Sequence, residues 1–149
     1  MFRCVLCIVL LLCAAPSSIA LERQPGEVIA YRQSVFRVIR WNAGYLAEMA
    51  SGRASWDSAE FSRRAARVAA LARQLDEAFA PGSDSGAFTD AKPEIWTDAD
   101  DFAERLRAFQ TEARALSRAA RSGDAAAAKA QLSKTMSTCK ACHDRYRAD

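Results

Sequence analysis

Apolar residues recur along this chain at steps of three and four, the period of helices that bury one face, and they do so in four separate stretches. The first runs from about 25–26 to about 51–52. Its apolar positions, among them Val28, Ile29, Val35, Phe36, Val38, Ile39, Trp41, Tyr45, Leu46 and Met49, cover an arc wider than one packing stripe needs. The second opens at Asp57, with Glu60 three residues on as an N-terminal signal. It carries Phe61, Ala65, Val68, Leu71, Leu75 and Phe79, and is expected to run until Pro81-Gly82 stops it. A loop from about 80 to 96 holds Pro81, Gly82, Gly86 and Pro93. The third stretch, capped near Thr97 or Asp98, places Phe102, Leu106, Phe109, Ala113 and Leu116 in a heptad-like stripe that Gly123 ends. The fourth begins at Asp124 and reaches about Arg147 through Ala128, Leu132, Met136, Cys139, His143 and Tyr146. Almost no strand pattern is present. Four amphipathic helices with mostly short connections predict an all-α, antiparallel four-helix bundle.

The N-terminus breaks this pattern. Arg3 is the only charge before Glu22, an apolar run follows from Val5 to Leu12, and small residues close it at Ser18-Ile19-Ala20. This is the form of a secretory signal peptide over residues 1–20, cut after Ala20, with one domain over 21–149. The apolar run is shorter than the roughly 20 residues that span a bilayer. A lipid anchor at Cys13 is the rival reading, and the bulky Leu12 before it argues against that. The formal net charge of +3 comes without a basic run interleaved with aromatics, so nucleic acid is not an expected partner.

Loss of residues 1–20 would leave two cysteines, Cys139 and Cys142. With the next residue they form Cys139-Lys140-Ala141-Cys142-His143, the C-x-x-C-H pattern of covalent c-type haem attachment. Two thiols three residues apart reach the two vinyl groups on one porphyrin edge, and the adjacent imidazole can turn onto the iron. A c-type haem is normally attached outside the cytoplasm, which agrees with the leader and predicts a periplasmic protein. The competing readings are weaker. A redox dithiol belongs to a βαβ context, and a zinc site needs about four ligands.

The same residues constrain the other axial position. His143 is the only histidine, so two histidines cannot hold one iron. Met136 lies two helical turns before His143 on the same helix, hence on the same side of a haem. Met49 stands roughly 20 Å along the first helix from Phe36, at 1.5 Å per residue, so its reach depends on where the haem meets that helix. Arg32 falls inside the apolar arc, between Phe36 and Ile39. A buried charge needs a partner; a haem propionate would supply one, and an arginine that snorkels to solvent is the alternative. Phe36, one turn later, would then face the haem or simply pack in the core. Arg147 could stand beside the proximal iron face, or serve only as a cation at a helix C-terminus.

Three stretches, Tyr31-Arg32-Gln33-Ser34, Lys92-Pro93-Glu94-Ile95-Trp96 and Cys139 to Arg147, make the chain resemble the cytochrome c′ family of bacterial four-helix-bundle haem proteins. The resemblance covers nearly all of the chain beyond the leader, and the C-terminal haem motif is its most specific part. It implies one haem c, five-coordinate, with Cys139 and Cys142 as covalent attachments and His143 as the iron ligand. It implies propionate contacts from Arg32 and Gln33, and a proximal-side role for Arg147. Phe36 falls where low-spin relatives of the cytochrome c556 type carry a ligating methionine, so the five-coordinate group is the nearer match. Two departures stand out: phenylalanine is bulkier than the family's usual leucine, and Leu75-Asp76 occupies the place of a Pro-Trp pair. The implied roles are electron transfer with protein partners and binding of small gases, NO and CO. A low-spin pure electron carrier is the alternative. A haem enzyme is not expected, because the sole histidine is taken by the iron. The resemblance also implies a homodimer through the first two helices, consistent with the surplus apolar arc of the first.

Overall fold

The computed structural model describes residues 23–148, so the expected leader over 1–20 lies outside the described residues. Five helices occur among them: α1 (Pro25–Ser51), α2 (Ser58–Gln74), the single-turn α3 (Glu94–Thr97), α4 (Ala99–Arg121) and α5 (Ala125–Tyr146). The four long ones are those the periodicity predicts, and their starts follow from local chemistry. Pro25 occupies the first turn of α1, where a missing N–H costs nothing. Asp57 accepts the Glu60 amide at 3.0 Å, and Asp124 accepts the amides of Ala126 and Ala127 at 2.9 and 3.0 Å. Each satisfies N–H groups that have no partner inside a first turn. Gly123 sits at φ 81°, a left-handed conformation that lets the chain reverse between α4 and α5.

The long helices pack in sequence, α1 on α2, α2 on α4, α4 on α5, while α1 and α5 barely touch. The main core is filled by Val35, Ile39, Leu46, Phe61, Leu75, Phe109, Leu116 and Leu132. Leu46, Phe61, Leu75 and Leu116 are completely buried, and each such side chain contributes about 1.5–3 kcal/mol. A second, smaller cluster of Ile95, Phe102 and Tyr146 sits beside the end of α5. Phe79 and Leu106 pack against both clusters.

Two boundaries differ from expectation. The second helix stops at Gln74 rather than running to Pro81. Gln110 Nε2 on α4 donates to the Ala72 carbonyl at 3.2 Å and to Asp76 Oδ1 at 2.7 Å. A continuing helix would offer that carbonyl to the Asp76 amide, which turns instead to Arg73 O. Leu75 to Ala80 therefore proceed as turns. The loop also contains α3, whose Pro93 (φ −57°) presets a helical turn and whose Ile95 is buried.

The loop from Ala78 to Thr89 is strapped to α1. Arg32 is 3% exposed, and its two terminal nitrogens donate to Ala78 O, Ser83 Oγ, Ser83 O and Thr89 Oγ1 at 2.9–3.2 Å. Gln33 Nε2 donates to Phe88 O at 2.9 Å, and the Tyr31 hydroxyl to Glu77 at 2.7 Å.

Candidate haem site

The face of α5 that carries Cys139, Cys142 and His143 closes the loose seam against α1. Cys139 packs on the main core and Cys142 on the smaller cluster, so the pair bridges the two. Both thiols are free and half-buried. Burial, with Cys142 nearby, pushes the Cys139 thiol up to about 11. Burial also raises Cys142, against the opposing charge of Arg105. A redox dithiol works through a lowered thiol pKa, and these are shifted the other way. No group of three or more His, Cys, Asp or Glu side chains able to hold a metal ion occurs among the described residues.

His143 faces Phe36 across the seam. The ring centroids are 6.3 Å apart and the planes inclined at 66°. Desolvation, followed by the positive charge of Arg147, lowers the imidazole's proton affinity, and Asp144 partly opposes this. A neutral imidazole keeps the lone pair a metal needs. Behind Phe36 stands Phe79, at 6.2 Å between centroids, and behind that Phe102, at 4.7 Å. The site therefore sets an imidazole against an aromatic ring of α1, with two thiols one and four residues before the imidazole on the same helix. That donor set fits a porphyrin joined at one edge and ligated from one side. A groove of about 720 Å³ between the loop after α2, α3 and the first half of α4, walled by Leu75, Phe79, Trp96, Phe102 and Leu106, is a different feature, since neither cysteine nor His143 lines it.

Each residue singled out from the sequence has a definite place. Phe36 is opposite His143. Met49 is buried in the main core, thirteen residues and roughly 20 Å along α1 from Phe36, and Met136 is 40% exposed on α5. Neither methionine stands across from His143. Arg32 does not snorkel: it is buried, with four protein acceptors. Gln33 holds the loop through Phe88 O. Arg147 ends α5 in an extended conformation, paired through its backbone with Ala91. The sequence reading overlooked the polar cluster of Asp98, Asp101, Arg105 and Arg145 around Tyr146. Asp101 and Arg105 were visible as an i, i+4 pair, but nothing local linked them to α5.

The family model for Cytochrome C′ matches residues 27–147. The chain belongs to the cytochrome c′ family. Cytochrome c′ folds are up-down-up-down bundles, the architecture described above. The curated cytochrome c′ of Rubrivivax gelatinosus is 38% identical over 125 residues, covering 84% of this chain and 97% of that protein. The solved cytochrome c prime from Shewanella frigidimarina superposes with a TM-score of 0.82 at 41% identity, over 86% of this chain and 99% of that one. A nitric oxide complex of a cytochrome c prime variant from Alcaligenes xylosoxidans matches with a TM-score of 0.78 at 34% identity, over 85% and 98% of the two chains. Cytochromes c′ carry covalently bound haem c, and haem c is the cofactor of this chain.

Proposed function

We propose that this protein is a periplasmic cytochrome with one five-coordinate haem c, working in one-electron transfer and in the binding of NO and CO. Cys139 and Cys142 are its covalent attachments and His143 its axial ligand. The observation that carries this reading is the Phe36 ring facing His143 with neither methionine beside it. When bound, haem c supplies a reversible one-electron iron couple and a face without a protein ligand for a diatomic gas.

The chain's own residues set the terms. His143, whose proton affinity is lowered by desolvation and then by the charge of Arg147, would offer its lone pair to the iron from α5. Phe36, facing His143, would cover the opposite side of a haem held there and favour small ligands. Its ring offers no hydrogen bond, which disfavours stable dioxygen binding. Arg32 has the Nε proton left over from its four loop contacts, and with Gln33 it is suited to meet a propionate. Relatives from Alcaligenes xylosoxidans solved with nitric oxide and with carbon monoxide support the gas-binding role. The periplasmic location rests on the leader-like residues 1–20 and on the attachment chemistry. The reading is of a carrier and binder rather than an enzyme.

The exposed side of α1 supports a homodimer through α1 and α2. Val38, Trp41 and Tyr45 are 46%, 63% and 38% exposed. They line a shallow groove with Arg37, Arg40 and Glu48, a larger apolar display than one soluble chain needs.

Intact mass and the spectrum of the reduced protein test the core of the reading. After expression with working haem-attachment machinery, the mass should exceed the polypeptide by one haem. The reduced form should have a broad Soret band without a sharp alpha band. A mass of amino acids alone would sink the attachment, and a sharp alpha band would favour a low-spin pure electron carrier.

A further inference from the structure

The last turn of α5 is held by more than its own helix. Tyr146 is buried, and its hydroxyl donates to the Asp101 carboxylate on α4. The same carboxylate accepts Arg105 Nε at 2.7 Å, while Arg105 Nη1 donates to Ala141 O on α5 at 3.3 Å. Arg145 pairs with Asp98 and, at 3.4 Å, with Asp101. On the other side, the Lys92 amide donates to Tyr146 O at 2.9 Å and the Ala148 amide to Asp90 O at 2.8 Å. Residues on both sides of His143 are thus tied to α4, and the end of the helix is also stitched to the loop.

Such reinforcement is unusual for a helix end, whose carbonyls can turn to water and whose last turn tends to fray. A metal-binding histidine is normally steered through its second ring nitrogen, by a carboxylate or carbonyl. Among the described residues the His143 side chain makes no hydrogen bond of that kind. What directs the ring is therefore the backbone turn beneath it, and that turn is organised by Asp101.

We infer that Asp101 is a positioning residue for His143: by gathering Arg105, Arg145 and Tyr146 it fixes the last turn of α5, and with it the direction from which the imidazole meets the iron. The inference rests on His143 being the axial ligand. Thioethers at Cys139 and Cys142, four residues and one residue before His143, would hold the porphyrin edge, so a loosened last turn would change the tilt of the ring without releasing the haem.

The test uses the haem-loaded protein with Asp101→Asn and, separately, Tyr146→Phe, which keeps the buried ring and loses the hydroxyl's two hydrogen bonds, to Asp101 and from Arg145 Nε. The readout is the iron–histidine stretching band of the reduced protein by resonance Raman, together with the reduction potential. Glu60→Gln is the control. It opens an ion cluster with Arg63 and Arg64 on α2, remote from the site. Both α4–α5 variants should shift or broaden the band, with haem content unchanged, while Glu60→Gln leaves it in place. Parent-like bands in both variants would overturn the inference, as would an equal shift in Glu60→Gln. Where Asp101→Asn fails to fold, Tyr146→Phe alone carries the comparison. A parent protein without any iron–histidine band would instead remove His143 as ligand, and the inference with it.

Discussion

On the proposed reading, the ligand chemistry turns on a single side chain, Phe36. Its ring faces the one histidine, and on the proposed ligation it would stand where a donor would complete the iron. Phe36→Met should therefore move the visible spectrum towards low spin; an unchanged high-spin spectrum would mean that position 36 does not face the iron. Phe36→Ala should speed carbon monoxide association in flash photolysis, and a rate equal to the parent's would show that the ring is not the gate. Arg32 has a second task. Removing its guanidinium leaves the carbonyls of Ala78 and Ser83 without their donors in a buried setting. Arg32→Met should cost roughly 2–6 kcal/mol in urea unfolding, given about 1–3 kcal/mol for each of the two unsatisfied buried carbonyls. An unaltered midpoint would mean that the loop is held by something else. The charge inside an apolar arc was legible in the sequence. Its partners were not, because Ser83 and Thr89 lie more than fifty residues away along the chain.

The relation of α4 to α5 is where electrostatics governs an element. Hydrogen bonds from Arg105 and then Tyr146 hold the Asp101 carboxyl below its usual value of 3.8. A depressed carboxyl contributes stability that is fully present above the unfolded value and is lost as pH falls through the folded one. The unfolding midpoints of the parent and of Asp101→Asn should therefore differ at neutral pH and draw together below about pH 3.8. A constant gap across that range would count against the carboxylate as the source. Helix starts were readable from Asp57 and Asp124, since a cap and the amides it serves are neighbours in sequence. The end of α2 was not readable, because Gln110 on another helix takes the Ala72 carbonyl.

For the whole molecule, α1 and α5 make the sparsest packing of the long neighbouring helices, and the outer face of α1 displays apolar side chains that the proposed dimer would cover. Trp41, 63% exposed, sits at the centre of that face. Trp41→Glu should shift the protein from dimer to monomer in sedimentation equilibrium with its haem spectrum intact. Identical masses for parent and variant would sink the dimer through this face. The bundle itself was readable from four periodic stretches and short connections. The order of packing, and which pair of helices stays apart, was not.

The chain's local order alone determined the C-x-x-C-H spacing, the single histidine, the four helices and most of their caps. These depend on residues within a turn or two of one another, and helical geometry makes such distances fixed. Tertiary structure decided what faces His143, what holds Arg32, where α2 stops and how Asp101 secures the end of α5. Each of those pairs residues on different elements, and their meeting follows from how the apolar faces pack, which no short stretch of sequence contains.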